Sequence, residues 1–204
     1  MPNFVDNMDN YNTIAAPAET KTVIKKSTFY AFALPVSTEE EADRAIKDFR
    51  KRFYDARHVC YAYAIGQDDK AISKSSDNGE PSGTAGRPIL GAIMSAGLTD
   101  VLIVVVRYFG GVLLGKPGLI AAYKEGATSV IDASETVVKT QESAVTITFD
   151  YPAMNAVMNL IKKLGIKVLS NRTDMRCTLR LQAAKSVMEA ALPQLAKIPS
   201  VKLP

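Results

Sequence analysis

The chain has no tryptophan, one histidine (His58) and two cysteines (Cys60 and Cys177) among 204 residues. Three such residues cannot furnish a zinc site of four Cys/His ligands. Two widely separated cysteines do not make a disulfide framework either. No metal site of that kind and no cofactor is expected, and any histidine-dependent chemistry falls to His58. Long apolar runs are also missing. The longest, Val101-Leu102-Ile103-Val104-Val105-Val106, stops at Arg107, whereas a membrane-spanning helix needs about 20 apolar residues. The opening MPNFVDNMDNYN lacks the basic and apolar regions of a secretory signal, so a cytoplasmic protein without a membrane partner is expected.

Charge is present but unevenly placed. Residues 1–140 hold 16 Lys and Arg against 17 Asp and Glu, whereas residues 141–204 hold 9 against 4. The surplus positive charge thus lies in the last part of the chain, which suits an anionic partner there.

Hydrophobic periodicity divides the chain into a loose arm over 1–18, a domain over 19–138 and a second domain over 143–204, with the boundary near 136–143. Strands are expected at 19–26 and 28–36. A capping box at Ser37-Thr38-Glu39-Glu40, with Ser37 as N-cap, should open a helix over 38–53. Residues 57–65 alternate as a strand, with Val59, Tyr61, Tyr63 and Ile65 on one side and His58, Cys60, Ala62 and Ala64 on the other. A long polar loop runs from Gly66 to Arg87. Pro88 suits the first position of a helix. The run from Asp100 to Tyr108 reads as a strand buried on both faces, and a helix ends near Ala133. The last 60 residues read as strand 144–150, a helix from Pro152, strands 166–171 and 175–181, a helix over 183–198 bent at Pro193, and a short strand 201–203. That order, β-α-β-β-α-β, is the split βαβ of a ferredoxin-like domain. The fold class is thus α+β in two domains.

Two glycine-rich segments invite chemistry. The first, Ser75 to Pro88, offers Ser76, Ser82, Gly83, Thr84, Gly86 and Arg87 as phosphate ligands, with Asp77 and Glu80 as acid/base or metal candidates. The second, Phe109 to Gly118, places Gly110, Gly111, Gly115 and Lys116 after a buried strand and before a helix, where main-chain amides favour an anion. Its Gly110-x-x-x-x-Gly115-Lys116 spacing copies part of a P-loop, but Pro117 stands where the Mg²⁺-binding hydroxyl belongs. If the two segments converge, with Arg107 and Tyr108 nearby, one anion site forms between them. Arg107 alternatively pairs with a carboxylate such as Asp55 or Asp77. His58 and Cys60 share one side of a strand, a placement as consistent with a packed face as with a nucleophile pair. In the second domain Lys162, Lys163, Lys167, Arg172, Arg176 and Arg180 are candidates to follow a phosphate backbone. Few aromatics stand among them, so base stacking is not expected.

These segments resemble the YigZ/IMPACT family. The matching stretches are Ile24-Lys25-Lys26-Ser27-x-Phe29, Asp55-Ala56-Arg57-His58-Val59-Cys60, Ser76-Asp77-Asn78-Gly79-Glu80-Pro81-Ser82-Gly83-Thr84-Ala85-Gly86-Arg87-Pro88, and Val104-Val105-Val106-Arg107-Tyr108-Phe109-Gly110-Gly111-x-x-Leu114-Gly115 with Gly118-Leu119 and Ala122-Tyr123. Asn78 replaces the second Asp of the usual acidic pair, and Pro117 the first of two glycines. The resemblance implies an N-terminal α+β sandwich like the second domain of a small-subunit ribosomal protein. It also implies a C-terminal domain like the last domain of a translocation elongation factor. Both of those contact RNA on the ribosome. The eukaryotic branch is linked to translational control in amino-acid starvation, through binding an activator of a stress kinase. The leading expectation is accordingly an RNA- or ribosome-associated factor of translational control. The alternatives are an enzyme acting on a phosphorylated small molecule or nucleotide, and a protein-binding adaptor in a stress response. The sequence names no reaction.

Overall fold

The structure, a computed structural model, describes residues 9–67 and 71–204. The described residues form two compact units: residues 12–138, and residues 139–204 together with residues 9–11.

The larger unit is built on a five-stranded antiparallel sheet. Its strands are β2 (Ala18–Ile24), β3 (Ser27–Pro35), β4 (His58–Ile65), β5 (Ile72–Ser76) and β6 (Val101–Tyr108), in the order β2-β3-β6-β4-β5. Helix α1 (Glu39–Arg52) packs Ala42, Ile46 and Phe49 onto Phe32, Val59, Tyr61, Tyr63, Leu102, Val104 and Val106. Helices α2 (Gly86–Ser95) and α3 (Gly115–Asp132) cover the other face, burying Ile89, Ile93, Tyr123 and Val130 against Phe29, Ala31, Cys60, Ala62, Ile103 and Val105. The central strand β6 is apolar throughout because alternate side chains enter two different cores. The two faces expected for residues 58–65 are those observed.

Local details differ from expectation. The helix cap lies one residue later: Thr38 Oγ1 accepts from the Glu41 amide at 3.2 Å, and the Glu41 carboxylate accepts from the Ser37 amide at 2.8 Å. Helix α2 begins at Gly86, so Pro88 is its third residue, still within the turn whose amides need no helical partner. The polar loop after Gly66 contains the edge strand β5, and part of the arm expected over 1–18 is strand β1 (Asn10–Ile14). Strand β1 pairs with β7 (Thr136–Thr140). Ile14 is fully buried, which ties that part of the arm to the core. Residues 1–8 of the expected arm lie outside the described residues.

The smaller unit contains β8 (Glu142–Phe149), a 3₁₀ turn (Tyr151–Ala153), α4 (Met154–Lys163), β9 (Lys167–Thr173), β10 (Cys177–Ala184) and α5 (Lys185–Ala196), which contains Pro193. The sheet order is β8-β10-β9, and Lys202 bridges to Thr148 on the outer side of β8. With that bridge as a rudimentary fourth strand, the order is that of the split βαβ. Ile147, Phe149, Leu179 and Leu181 of the sheet form one core with Val157, Ile161, Met188 and Leu195 of the two helices. The opposite sheet face is open.

Candidate functional site

In the larger unit the polar residues of the two glycine-rich segments meet in a hydrogen-bonded network. Asn78 (φ 39°) and Gly79 (φ 87°) form a tight turn that returns the Glu80 amide to the Asp77 carbonyl at 2.9 Å. The Asn78 side-chain amide bonds the Val59 carbonyl at 2.9 Å, and Ser76 Oγ accepts from the Asn78 amide. The Asp77 carboxylate accepts the amides of Gly83, Ala85 and Gly86 at 2.8–2.9 Å, and so caps α2 from within the chain. Burial acts to raise the Asp77 pKa. The three amide bonds and the nearby Arg87 charge outweigh it and hold the carboxyl below the ordinary carboxylate range. Gly86 is required for close approach: a Cβ there would stand 2.7 Å from the Ser76 backbone nitrogen. Thr84 is buried, with its hydroxyl donating to the Pro81 carbonyl, while Ser82 and Arg87 face solvent.

Glu80 turns inward from this loop. One carboxylate oxygen, Oε1, accepts from Arg107 Nη1 and from the Tyr123 hydroxyl, each at 2.8 Å. The Glu80 and Arg107 side chains are 3% and 7% exposed, so the partner of Arg107 is Glu80 and not Asp55 or Asp77. Asp55 instead accepts the Tyr108 hydroxyl at 2.7 Å, and burial followed by that carboxylate pushes the Tyr108 phenol up to about 12. His58 Nδ1 donates to the Asn78 carbonyl at 3.1 Å, leaving Nε2 3.9 Å from the Glu80 carboxylate. The Cys60 thiol donates to the Asp77 carbonyl at 2.9 Å and lies 3.4 Å from the Tyr123 hydroxyl. Burial, with the Glu80 and Asp77 charges, pushes it up to about 12, the opposite of what an activated nucleophile requires.

The second glycine segment joins through Arg107. Its Cζ lies over the rings of Phe29 and Phe109 at 5.7 and 5.6 Å. Its Nε is buried without a hydrogen-bond partner among the described residues. Ser27 Oγ accepts the Gly110 amide at 3.2 Å. A Cβ on Gly110 would come within 2.0 Å of the Lys26 carbonyl, so only glycine fits against this hairpin turn. Gly111 and Gly115 take positive φ (84° and 70°), and Lys116 is exposed in the first turn of α3. The two segments therefore converge, but the amides of Gly83 and Gly86 are bonded to Asp77 and Arg107 is bonded to Glu80. Two participants, Tyr123 and Ser27, stand in the matching stretches of the sequence but not among its site candidates.

In the smaller unit, directly paired residues share a face. Arg180 pairs with Thr146 and Ser170, Thr178 with Thr148 and Arg172, and Gln182 with Ala144 and Lys167. Since Leu179 and Leu181 point into the core, all of these stand on the open face. Lys202, paired with Thr148, joins them. Four cations, Lys167, Arg172, Arg180 and Lys202, thus stand among hydroxyl and amide side chains. Carboxylates occupy only the margins: Glu142 accepts from Gln182, and Asp174 lies 3.8 Å from Arg172. Of the remaining candidates, Arg176 precedes β10 and clips Asp150 at 3.0 Å and the Ser200 carbonyl at 3.0 Å. Lys162 and Lys163 end α4 in the helical layer.

Comparison with known proteins extends these observations. The family model of the Impact N-terminal domain matches residues 25–131. The chain is 36% identical over 156 residues to the IMPACT family member YvyE of Bacillus subtilis (strain 168), covering 76% of this chain and 71% of that protein. It is 34% identical over 181 residues to the IMPACT family member YigZ of Escherichia coli (strain K12), covering 87% and 89%. A crystal structure described as that of a hypothetical protein superposes with a TM-score of 0.72 at 31% identity, over 96% of this chain and 97% of the other. The buried Glu80–Arg107 network and its glycine turns lie within the matched domain, and on this combined ground the chain belongs to the IMPACT family.

Proposed function

We propose that this protein is an RNA-associated factor acting at the ribosome in translational control, and that it contacts RNA phosphates through the open sheet face of its smaller unit. The observation that carries this reading is the set Lys167, Arg172, Arg180 and Lys202 on one face. Among the described residues Lys167, Arg180 and Lys202 have no ion pair, and the paired positions between them are Ser, Thr and Gln, with Ala144 beside Gln182. Cations held at sheet spacing among hydroxyl donors match a phosphate backbone and carry no base-reading code. The surplus of cationic residues in 141–204 supplies the surrounding field. The ribosomal setting is the one that the family resemblance implies for this domain, by likening it to the last domain of a translocation elongation factor.

A phosphorylated small molecule held between the glycine segments lacks comparable support. The amides it would use already bond Asp77, and the guanidinium it would use already bonds Glu80. The test is sedimentation of the purified full chain with ribosomes, and filter binding to ribosomal RNA, as salt is raised. Salt-sensitive binding that weakens in R180E and K167E but persists in K163E is the expected result. Absence of binding at low salt, or equal loss in all three variants, would overturn the reading.

A further inference from the structure

The segment between β6 and α3 leaves apolar side chains in water and is anchored at its start, at Phe109 and Gly110. Phe109 is 55% exposed, Val112 40% and Leu113 83%. Single exposed apolar residues are ordinary, but three on one short loop mark an interaction surface. This loop is braced. Gly110 is seated against the Lys26 carbonyl, its amide bonds Ser27 Oγ, and the Phe109 ring rests on Arg107, which Glu80 fixes from below. Anchoring the start of the loop in this way lowers the conformational freedom it loses on binding.

The charge around the tip has one sign. The segments VIKKSTF (23–29) and FGGVLLGKPG (109–118) contain Lys25, Lys26 and Lys116 and no carboxylate. All three lysines are exposed, and none has an ion pair among the described residues. Helix α3 adds to this potential. It starts at Gly115 with neither a side-chain cap nor an acidic residue in its first turn, so its dipole and amides present a positive end.

We propose that this tip, Phe109, Val112 and Leu113 rimmed by Lys25, Lys26 and Lys116, is a docking surface for an acidic protein segment that carries large apolar side chains. Charge complementarity selects the acidic segment. The aliphatic Val112 and Leu113 favour protein over nucleic acid, because they offer no ring on which a base stacks. The surface belongs to the larger unit and involves none of the residues of the open sheet face, so the two proposals stand independently.

The test uses the full chain with three labelled synthetic peptides of equal length: one alternating Glu with Leu and Phe, one with Lys in place of Glu, and one with Ser in place of Leu and Phe. Fluorescence anisotropy should show micromolar binding of the first peptide alone, with amide NMR shifts confined to residues 23–29 and 109–118. The variant L113S should weaken that binding about tenfold, as a central contact does, and K116E, at the rim, should weaken it less and reduce its salt dependence. M94S, which changes an exposed side chain on α2, should leave it unchanged, as should R180E. L113S lies at an exposed position and is checked for an unchanged melting temperature. The proposal is overturned by equal binding of the three peptides, by no binding at all, by polyuridylate shifting the loop amides in place of the acidic peptide, or by a dimer of the chain that L113S dissolves.

Discussion

At the residue scale, the Glu80–Arg107 pair has the largest energetic consequence in the larger unit. Both charges are removed from water, so their attraction offsets a large desolvation penalty, and removing one partner strands the other. Glu80→Gln should lower unfolding stability by about 3–5 kcal/mol, measured by urea denaturation. The double substitution Glu80→Leu with Arg107→Met should recover much of that loss. A cost near zero for the single substitution would show that water already reaches the guanidinium. Cys60 gives a second prediction. With its thiol pushed up to about 12, native protein should resist alkylation there at pH 8 and react only on unfolding. Fast native labelling, located by mass spectrometry, would contradict the burial. The alternation of residues 58–65 made the face of Cys60 legible in the sequence. The partner of Arg107 was not legible, since it lies 27 residues away across a loop whose path no local pattern encodes.

At the scale of elements, helix α2 is capped by Asp77 from nine residues before its first turn amide at Gly86. A carboxyl held below its ordinary range contributes stability that is fully present above the unfolded-state value, about 3.9, and fades as pH falls through the lower folded value. Stability should therefore decline on acidification below about pH 4, and Asp77→Asn should flatten that limb of the curve. An unchanged acid limb in chemical denaturation across pH would disprove the assignment. The same motif shows where sequence reasoning stops. Its acids, glycines and hydroxyls resemble a binding loop because a loop that folds onto its own carboxylate needs the same donors as one that folds onto phosphate. Strands β5 and β1 escaped for a different reason. β5 reads Ile72-Ser73-Lys74-Ser75-Ser76, an edge strand pairing on one side only, and an edge strand facing water carries no apolar alternation. The long runs of β4 and β6 announce themselves because both of their faces are covered.

At the scale of the whole molecule, the arrangement of charge predicts a measurable salt law. If the open face neutralises four phosphates of single-stranded RNA, the logarithm of affinity should fall against the logarithm of salt with a slope of about −3. Binding should then weaken about sixtyfold between roughly 50 and 200 mM salt. R180E should make the slope shallower by about one contact, read from filter-binding titrations. A slope near zero would mean that whatever binds does so without phosphates.

The chain passes from the smaller unit to the larger and back, within β1 and β7, the two strands that pair with each other. The Asp9 carboxylate accepts from the Ser186 amide at 3.1 Å and from its hydroxyl, and the Asp9 carbonyl accepts the Gln141 amide at 2.7 Å. In chain order the larger unit is an insert, and the smaller is a clasp whose two pieces lie on either side of it in the sequence. During synthesis the first piece of that clasp leaves the ribosome long before its mate, and must wait unpartnered while the entire insert emerges and collapses. Cutting the gene at the apparent boundary would therefore separate the later fragment from the N-terminal residues that complete it.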